Sequence, residues 1–138
     1  MHALTLFPKR FGVDIHPGAR LGRGVIIDHG VNVSVSETAV VGDRVYIMHN
    51  VVVGGKPGGR HAERRIGDGG DGGDGEGGMG PRIGDDVVLG AYSRIGDVSV
   101  GAGARVASFA LVDSDVPAGG VAAGIPAESG GGGSWPTR

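Results

Sequence analysis

The sequence predicts an all-β protein built as a parallel β-helix, in which short strands wind into stacked triangular coils. From Ile15 to Val112 an aliphatic residue returns about every six residues, a period that fits neither an α-helix nor an alternating strand. A glycine often follows that residue. Glycine accounts for 31 of 138 residues and aromatic residues for only 4%, so we expect thin layers of Val, Ile, Leu and Ala in the core.

The first block of repeats contains seven of these aliphatic residues, which we call anchors. The step between the third and fourth anchors is eight residues, which predicts a two-residue insertion at a corner. Because three six-residue units complete one coil, anchors three units apart should stack at about 4.8 Å, the spacing of neighbouring strands. The anchors of this block are Ile15, Leu21, Ile27, Val35, Val41, Ile47 and Val53.

The second block has six anchors, with a five-residue step between Ile95 and Val100 that predicts a one-residue deletion. Thirteen anchors in all predict a little over four coils. The anchors of this block are Ile83, Leu89, Ile95, Val100, Val106 and Val112. Further small or branched residues are expected to point inward, at Ala19, Val25, Val45, Val51, Val87, Ala104 and Ala110.

The segment between the blocks, residues 62–80, has nine glycines among 19 residues and is predicted to be a flexible loop at one corner. Its alternation of Asp and Gly also suggests a calcium-binding loop, although it lacks the nine-residue repeat and the terminal Glu geometry of known calcium-binding loops. We expect the coil to restart at Ile83 rather than Ile66. A single domain is predicted over residues 1–127, with Leu4, Leu6, Phe7 and Phe11 capping the first coil, and a flexible tail over 128–138.

Composition excludes several functions. A net charge of −2 provides no basic surface for nucleic acid, and no basic apolar helix indicates membrane binding. The absence of cysteine rules out disulfides, thiolate nucleophiles and cysteine-based zinc sites. With no long apolar run or signal peptide, a cytoplasmic protein without nucleic-acid or membrane partners is expected.

Titratable residues concentrate in the first block, where four of the five histidines lie between residues 16 and 61. His29 and His49 each follow an anchor by two residues, so they should stack at one corner of neighbouring coils, with Asp14 near the same edge. A histidine beside a carboxylate suits general-base catalysis. Two alternatives remain: polar residues that fill corner turns, or a zinc site made by stacked imidazoles and one from a neighbouring subunit.

The run Asp14-Ile-His16-Pro-Gly-Ala, followed by Asp28-His29-Gly, resembles the opening of the catalytic β-helix of serine acetyltransferases. The similarity extends from about Phe11 to Ala127, interrupted by the Gly/Asp loop. It continues in Glu37-Thr-Ala-Val, Met48-His49-Asn-Val-Val-Val-Gly54-Gly55, Arg60-His61, Pro81-Arg-Ile-Gly-Asp-Asp and Ala123-Gly-Ile-Pro-Ala.

This resemblance implies a left-handed β-helix that forms a homotrimer, with active sites between subunits and no metal. It implies transfer of acetyl from acetyl-CoA to the hydroxyl of L-serine or a similar small hydroxy amino acid, by direct attack in a ternary complex. His29 would be the general base and Asp14 its orienting carboxylate. The acceptor would be bound by Asp28, at its ammonium group, with Arg60 and His61 at its carboxylate and His49 nearby. The acyl-CoA would lie along Gly54, Gly55, Ala91 and Ala107.

Three departures from the family pattern widen the range of functions. Only about a dozen residues precede the first motif, where the family carries a helical domain, so a trimer rather than a hexamer is expected. Ala62 and Glu63 follow Arg60-His61 in place of the family's usual Pro-Lys. Glu128 follows Gly-Ile-Pro-Ala, where the family often has a basic residue after Gly-Asn-Pro-Ala. The alternatives are the same chemistry on another hydroxyl or amine of specialised metabolism, or a non-catalytic trimeric binding protein.

Overall fold

The computed structural model describes residues 12–54 and 80–130, and every regular element in these ranges is a β-strand. The strands are β1 (Val13–Ile15), β2 (Arg20–Leu21), β3 (Ile26–Ile27), β4 (Val33–Val35), β5 (Val40–Val41), β6 (Tyr46–Ile47), β7 (Val52–Val53), β8 (Arg82–Ile83), β9 (Val88–Leu89), β10 (Arg94–Ile95), β11 (Ser99–Val100), β12 (Arg105–Val106), β13 (Leu111–Val112), β14 (Val121–Gly124) and β15 (Ala127–Gly130). In this part of the chain, no helix is long and apolar enough to cross a membrane.

Successive strands lie on successive faces of a prism, so each set of three strands makes one coil. The first face is a five-stranded sheet, β1-β4-β7-β10-β13, the second is β11-β8-β5-β2, and the third is β15-β14-β12-β9-β6-β3. Neighbouring strands are parallel except β14 and β15, which pair antiparallel. The predicted fold, a left-handed parallel β-helix, is confirmed.

The anchors predicted from the six-residue period are the last residues of β1 to β13. They stack in three columns, as in the registers Ile15↔Val35 and Ile27↔Ile47. Every anchor from Val35 to Val112 is no more than 3% exposed, whereas Leu21 in the first coil is 37% exposed. The period therefore predicted strand ends correctly because it marks the inward position of each strand.

The other predicted inward positions are also more deeply buried in the later coils than in the first coil. Those in later coils are buried, whereas Ala19 and Val25 in the first coil are partly buried and pack against the core. The buried ones are Val45, Val51, Val87, Ala104 and Ala110. The predicted capping residues Leu4, Leu6, Phe7 and Phe11 lie outside the described residues.

Glycine follows many anchors because neighbouring coils approach too closely at the corners for a side chain. A Cβ added to Gly101 would lie 2.3 Å from the backbone nitrogen of Ala118, and one on Gly84 would lie 2.6 Å from that of Ala102. At the same corner, the Asp43 and Asp85 carboxylates each accept a 2.8 Å hydrogen bond from a backbone N–H of the preceding coil. The aliphatic-glycine pair thus combines an inward side chain with a close corner contact.

The structure differs from the sequence prediction in the number of coils and in two boundaries. β13, a bridge between Val100 and Val116, and β14 complete a fifth coil, where the anchors predicted a little over four. β15 continues past the predicted domain end at residue 127 to Gly130. Gly80, assigned to the loop, is buried, and a Cβ there would lie 2.1 Å from Thr38 Oγ1. Ile83, where the coil was predicted to restart, lies in β8, whereas the alternative, Ile66, lies outside the described residues. The rest of the predicted loop and residues 131–138 lie outside the described residues.

Candidate active site

The candidate site lies at the corner between β3 and β4, where the predicted two-residue insertion occurs. The Asp28 N–H donates to the Ile47 carbonyl at 2.8 Å, and the Asn50 N–H donates to the Val31 carbonyl at 2.9 Å. These bonds align Asp28 with Met48 and Val31 with His49, so the two additional residues are His29 and Gly30. The insertion itself therefore supplies the predicted base, at a left-handed backbone position with φ of 54°.

The carboxylate nearest to His29 among the described residues is that of Asp28. His29 Nε2 lies 3.7 Å from Asp28 Oδ1, and the two side chains are 70% and 34% exposed. The other oxygen, Asp28 Oδ2, accepts a hydrogen bond from the Tyr46 hydroxyl. This hydrogen bond, followed by desolvation and the negative charge of Asp28, raises the pKa of Tyr46 above its ordinary value.

Strand pairing explains why Tyr46 reaches Asp28. β3 and β6 are parallel neighbours, with Ile26 directly opposite Tyr46. Asp28 follows Ile26 by two residues, so it is the diagonal neighbour of Tyr46, within reach of a long aromatic side chain. Tyr46 was not among the site residues predicted from the sequence, although its position directly before the anchor Ile47 marks an outward-facing residue.

The predicted contact between the two histidines is confirmed. The rings of His29 and His49 meet edge to face, with centroids 5.8 Å apart and an angle of 81° between planes. Their backbones are nevertheless not equivalent, because His49 lies above Val31 rather than above His29. The Nδ1 atom of His49 is buried and has no hydrogen-bond partner among the described residues.

The histidine pair is the start of an aromatic column that sequence analysis missed. His49 meets Tyr92 at 5.5 Å, and Tyr92 stacks on Phe109 at 4.9 Å with only 10° between the rings. Tyr92 and Phe109 each follow an anchor by three residues, as Asn50 does, and all three have left-handed backbones. That shared spacing was the signal that could have revealed the column.

Asp14 lies in β1, opposite Ser34 in the parallel register, and is exposed. Within residues 12–54 and 80–130 it makes no hydrogen bond or ion pair with His29, so its orienting role stays a prediction. It lines an open depression with Gly12, Val13, Asn32, Val33 and Ser34. In the same ranges, no three His, Asp or Glu side chains come together as metal ligands.

The residues predicted to bind the acyl donor occupy different environments. Gly54 is buried, and its N–H already donates to the Ile95 carbonyl at 2.7 Å, so that amide is not available to a ligand. Ala91 is 7% exposed and Ala107 is partly buried against the core; both lie at the corner that carries the aromatic column. Three predicted site residues lie outside the described residues: Gly55, Arg60 and His61.

Comparisons with known sequences agree on one kind of relative. The family model "Bacterial transferase hexapeptide (six repeats)" matches residues 80–114. Serine acetyltransferase 4 of Arabidopsis thaliana is 44% identical over 122 residues, which cover 86% of this chain and 29% of that protein. The serine acetyltransferase of Helicobacter pylori strain J99 is 38% identical over 119 residues, covering 86% of this chain and 60% of that protein. The chain thus spans less than two thirds of the length of these relatives.

Solved structures give the same result. Soybean serine acetyltransferase complexed with serine superposes with a TM-score of 0.73 at 39% identity, covering 93% of this chain and 48% of that chain. Neisseria gonorrhoeae serine acetyltransferase superposes with a TM-score of 0.71 at 36% identity, covering 92% and 45%. The similarity therefore extends over most of this chain.

Proposed function

Since this β-helix belongs to the serine acetyltransferase family, we propose that the protein is an acyl-CoA-dependent O-acyltransferase that transfers acetyl from acetyl-CoA to the hydroxyl of L-serine or a similar small hydroxy amino acid. The observation that carries the proposal is the inserted His29, held beside Asp28 at an exposed corner. An accessible imidazole next to a carboxylate has the chemistry of a general base working near neutral pH.

In the proposed reaction, His29 removes the proton from the acceptor hydroxyl while that oxygen attacks the thioester carbonyl carbon. The tetrahedral intermediate collapses by breaking the carbon–sulfur bond, and the protonated imidazole returns the proton to the departing CoA sulfur. No covalent acyl-enzyme is needed, so acceptor and donor are bound together in a ternary complex. Asp14 orients His29 and stabilises the imidazolium formed during the step.

The remaining predicted residues bind the two substrates. Asp28 contacts the ammonium group of the acceptor, His49 supports the acceptor side, and Arg60 and His61 hold the acceptor carboxylate, which suits the paired donors of a guanidinium. Gly54, Gly55, Ala91 and Ala107 line the acyl-CoA path. The Gly54 N–H is used within the coil, and the Ser36 side chain fills the space where a Cβ would lie, so Gly54 provides the donor with no free amide.

The proposed assembly is a homotrimer with its active sites between subunits. Support comes from large apolar side chains on the corner that carries His29: Val31 is 53% exposed, Tyr92 50% and Phe109 63%. Contiguous exposed apolar side chains commonly mark a protein–protein interface, and a closed ring of three subunits would cover the same surface on each copy.

The test is release of CoA thiol from acetyl-CoA with L-serine and a panel of other hydroxy and amino acceptors. We expect turnover with L-serine and a loss of about 10²-fold to 10⁴-fold in kcat for His29→Ala, the usual contribution of a general base. His16→Ala is the matched control, because within the described residues the His16 ring makes a single hydrogen bond, accepting from the Gly18 N–H at 3.1 Å.

Each other outcome contradicts a defined part of the proposal. Turnover only with a different hydroxyl or amine would change the acceptor and keep the chemistry. Equal activity of His29→Ala and the unaltered protein would remove His29 as the base. No thiol release with any acceptor, together with no CoA binding by calorimetry, would indicate a non-catalytic binding protein.

A further inference from the structure

We propose that Tyr46 is a positioning residue for the acceptor, acting through the Asp28 carboxylate. The inference rests on the proposed function, in which Asp28 contacts the ammonium group of the acceptor. It assigns to Tyr46 a role in acceptor affinity rather than in the chemical step.

The two oxygens of Asp28 have different neighbours. Oδ2 accepts the hydrogen bond from the Tyr46 hydroxyl, whereas Oδ1 lies on the His29 side, 3.7 Å from Nε2. A carboxylate held at one oxygen cannot rotate freely about its last bond, so Tyr46 determines which oxygen faces the base. With the Tyr46 bond in place, Oδ1 remains free for a ligand.

The chemistry of the acceptor requires this arrangement. In a 2-amino-3-hydroxy acid, the ammonium and hydroxyl groups sit on neighbouring carbons, so the groups that bind them must lie side by side. Asp28 Oδ1 and His29 Nε2 form such a pair. Loss of the Tyr46 hydroxyl would let the carboxylate turn away and would leave the hydroxyl-binding base in place.

Tyr46 is suited to hold the carboxylate. It lies in β6, next to β3, and its side chain is partly buried on the outer face of the sheet. Because the carboxylate raises the pKa of Tyr46, the phenol remains a protonated donor throughout the neutral range. The Tyr46–Asp28 hydrogen bond is therefore kept in assays near neutral pH.

The test compares Tyr46→Phe with the unaltered protein in steady-state kinetics with L-serine and acetyl-CoA. We expect the KM for L-serine to rise about threefold to tenfold, as for the loss of one hydrogen bond of ordinary net strength, with kcat and the KM for acetyl-CoA changed by less than about twofold. Tyr92→Phe is the matched control, because the Tyr92 hydroxyl makes no hydrogen bond within the described ranges and its ring contacts are kept.

A double-mutant cycle separates this role from a general structural effect. In an Asp28→Ala background, Tyr46→Phe should produce no further rise in the KM for L-serine. An unchanged KM in Tyr46→Phe alone, or the same rise in both backgrounds, would overturn the inference while leaving the proposed function intact. An unaltered protein that is inactive with every acceptor would overturn the proposed function, and this inference with it.

Discussion

Asp28 contacts two different side chains of the candidate site. Its Oδ2 accepts a hydrogen bond from the Tyr46 phenol, and its Oδ1 lies near the His29 imidazole. Only the imidazole neighbour follows from the sequence order Asp28-His29. The phenol comes from the next coil and depends on a diagonal pairing across two strands, which the six-residue period does not specify for outward-facing side chains. The period predicted the His29–His49 contact, because both residues follow anchors that stack in neighbouring coils. It does not specify the directions of outward-facing side chains, so it could not predict which carboxylate lies nearest to His29.

The ionisation of Tyr46 provides a direct test of this contact. The chain contains two tyrosines, so Tyr92→Phe leaves Tyr46 as the single phenol whose ultraviolet absorbance reports its titration. We expect its midpoint to lie above the ordinary value of about 10, and Asp28→Asn to lower it, since the amide lacks the negative charge.

The sign of the stability effect follows from the raised pKa. The hydrogen bond needs the neutral phenol, so its contribution is complete below the pKa of the unfolded chain and is lost as the pH rises through the higher folded value. Identical midpoints with Asp28 and with Asn at this position would contradict the contact.

At the scale of elements, the six-residue period predicted thirteen strand ends but stopped before the last two positions of the fifth coil. Within the fifth coil, the step from Val112 to Val116 is only four residues, which breaks the period. At this shortened connection the Ser99 N–H donates to the Asp115 carboxylate at 2.8 Å, so a side chain supplies a bond that a regular strand would provide from its backbone. Such a replacement depends on local geometry and cannot be deduced from spacing.

Gly101 and Gly103 lie in the same corner turn, and substitutions there test whether close contact between coils explains the glycine after each anchor. Gly101→Ala would place a Cβ 2.3 Å from the Ala118 nitrogen, and the backbone shift needed to relieve that contact should cost about 1–3 kcal/mol of unfolding free energy. Gly103→Asn is the control: apart from the two chain neighbours, no atom of the described residues lies within 4 Å of a Cβ there, and its φ of 71° resembles that of Asn32 and Asn50. Urea unfolding should show a clear loss for the first variant and less than about 1 kcal/mol for the second.

Equal losses for the two substitutions would contradict this explanation of the aliphatic-glycine pair. A larger loss at Gly103 would mean that the positive φ, and not the spacing of the coils, limits which residues the corner accepts.

For the whole molecule, the main question is what covers the apolar corner formed by Val31, Tyr92 and Phe109. Composition predicted a core of thin aliphatic layers, and the buried residues agree. It did not predict that two of the few aromatic residues stack outside that core. Aromatic rings are too large for the narrow interior, so they can occur only at corners and outer faces, where subunits could meet.

We expect the protein to be trimeric by size-exclusion chromatography with light scattering, and Phe109→Asp to shift it toward monomers. A desolvated charge in an apolar interface is costly, whereas the same charge on an exposed corner is not. Ile125→Asp is the matched control, because Ile125 is 72% exposed and lies in the turn between β14 and β15. If active sites lie between subunits, Phe109→Asp should also lose thiol-release activity.

A monomeric unaltered protein would contradict the proposed trimer, and a trimeric Phe109→Asp variant would place the interface elsewhere. If Ile125→Asp alone dissociated the assembly, the subunits would meet through the β14–β15 hairpin instead of through the His29 corner.

The insertion of His29 and Gly30 resembles a point defect in a crystal, because a local irregularity in an otherwise regular repeat supplies the reactive group. The coils above the defect keep their register, as the Asn50 and Tyr92 amide bonds to the preceding coil show. Two residues can therefore introduce a reactive group without altering the repeating layers that hold the chain together. In such a molecule, new chemistry could arise at any corner by a short insertion, and the choice of corner would set which neighbouring side chains it meets.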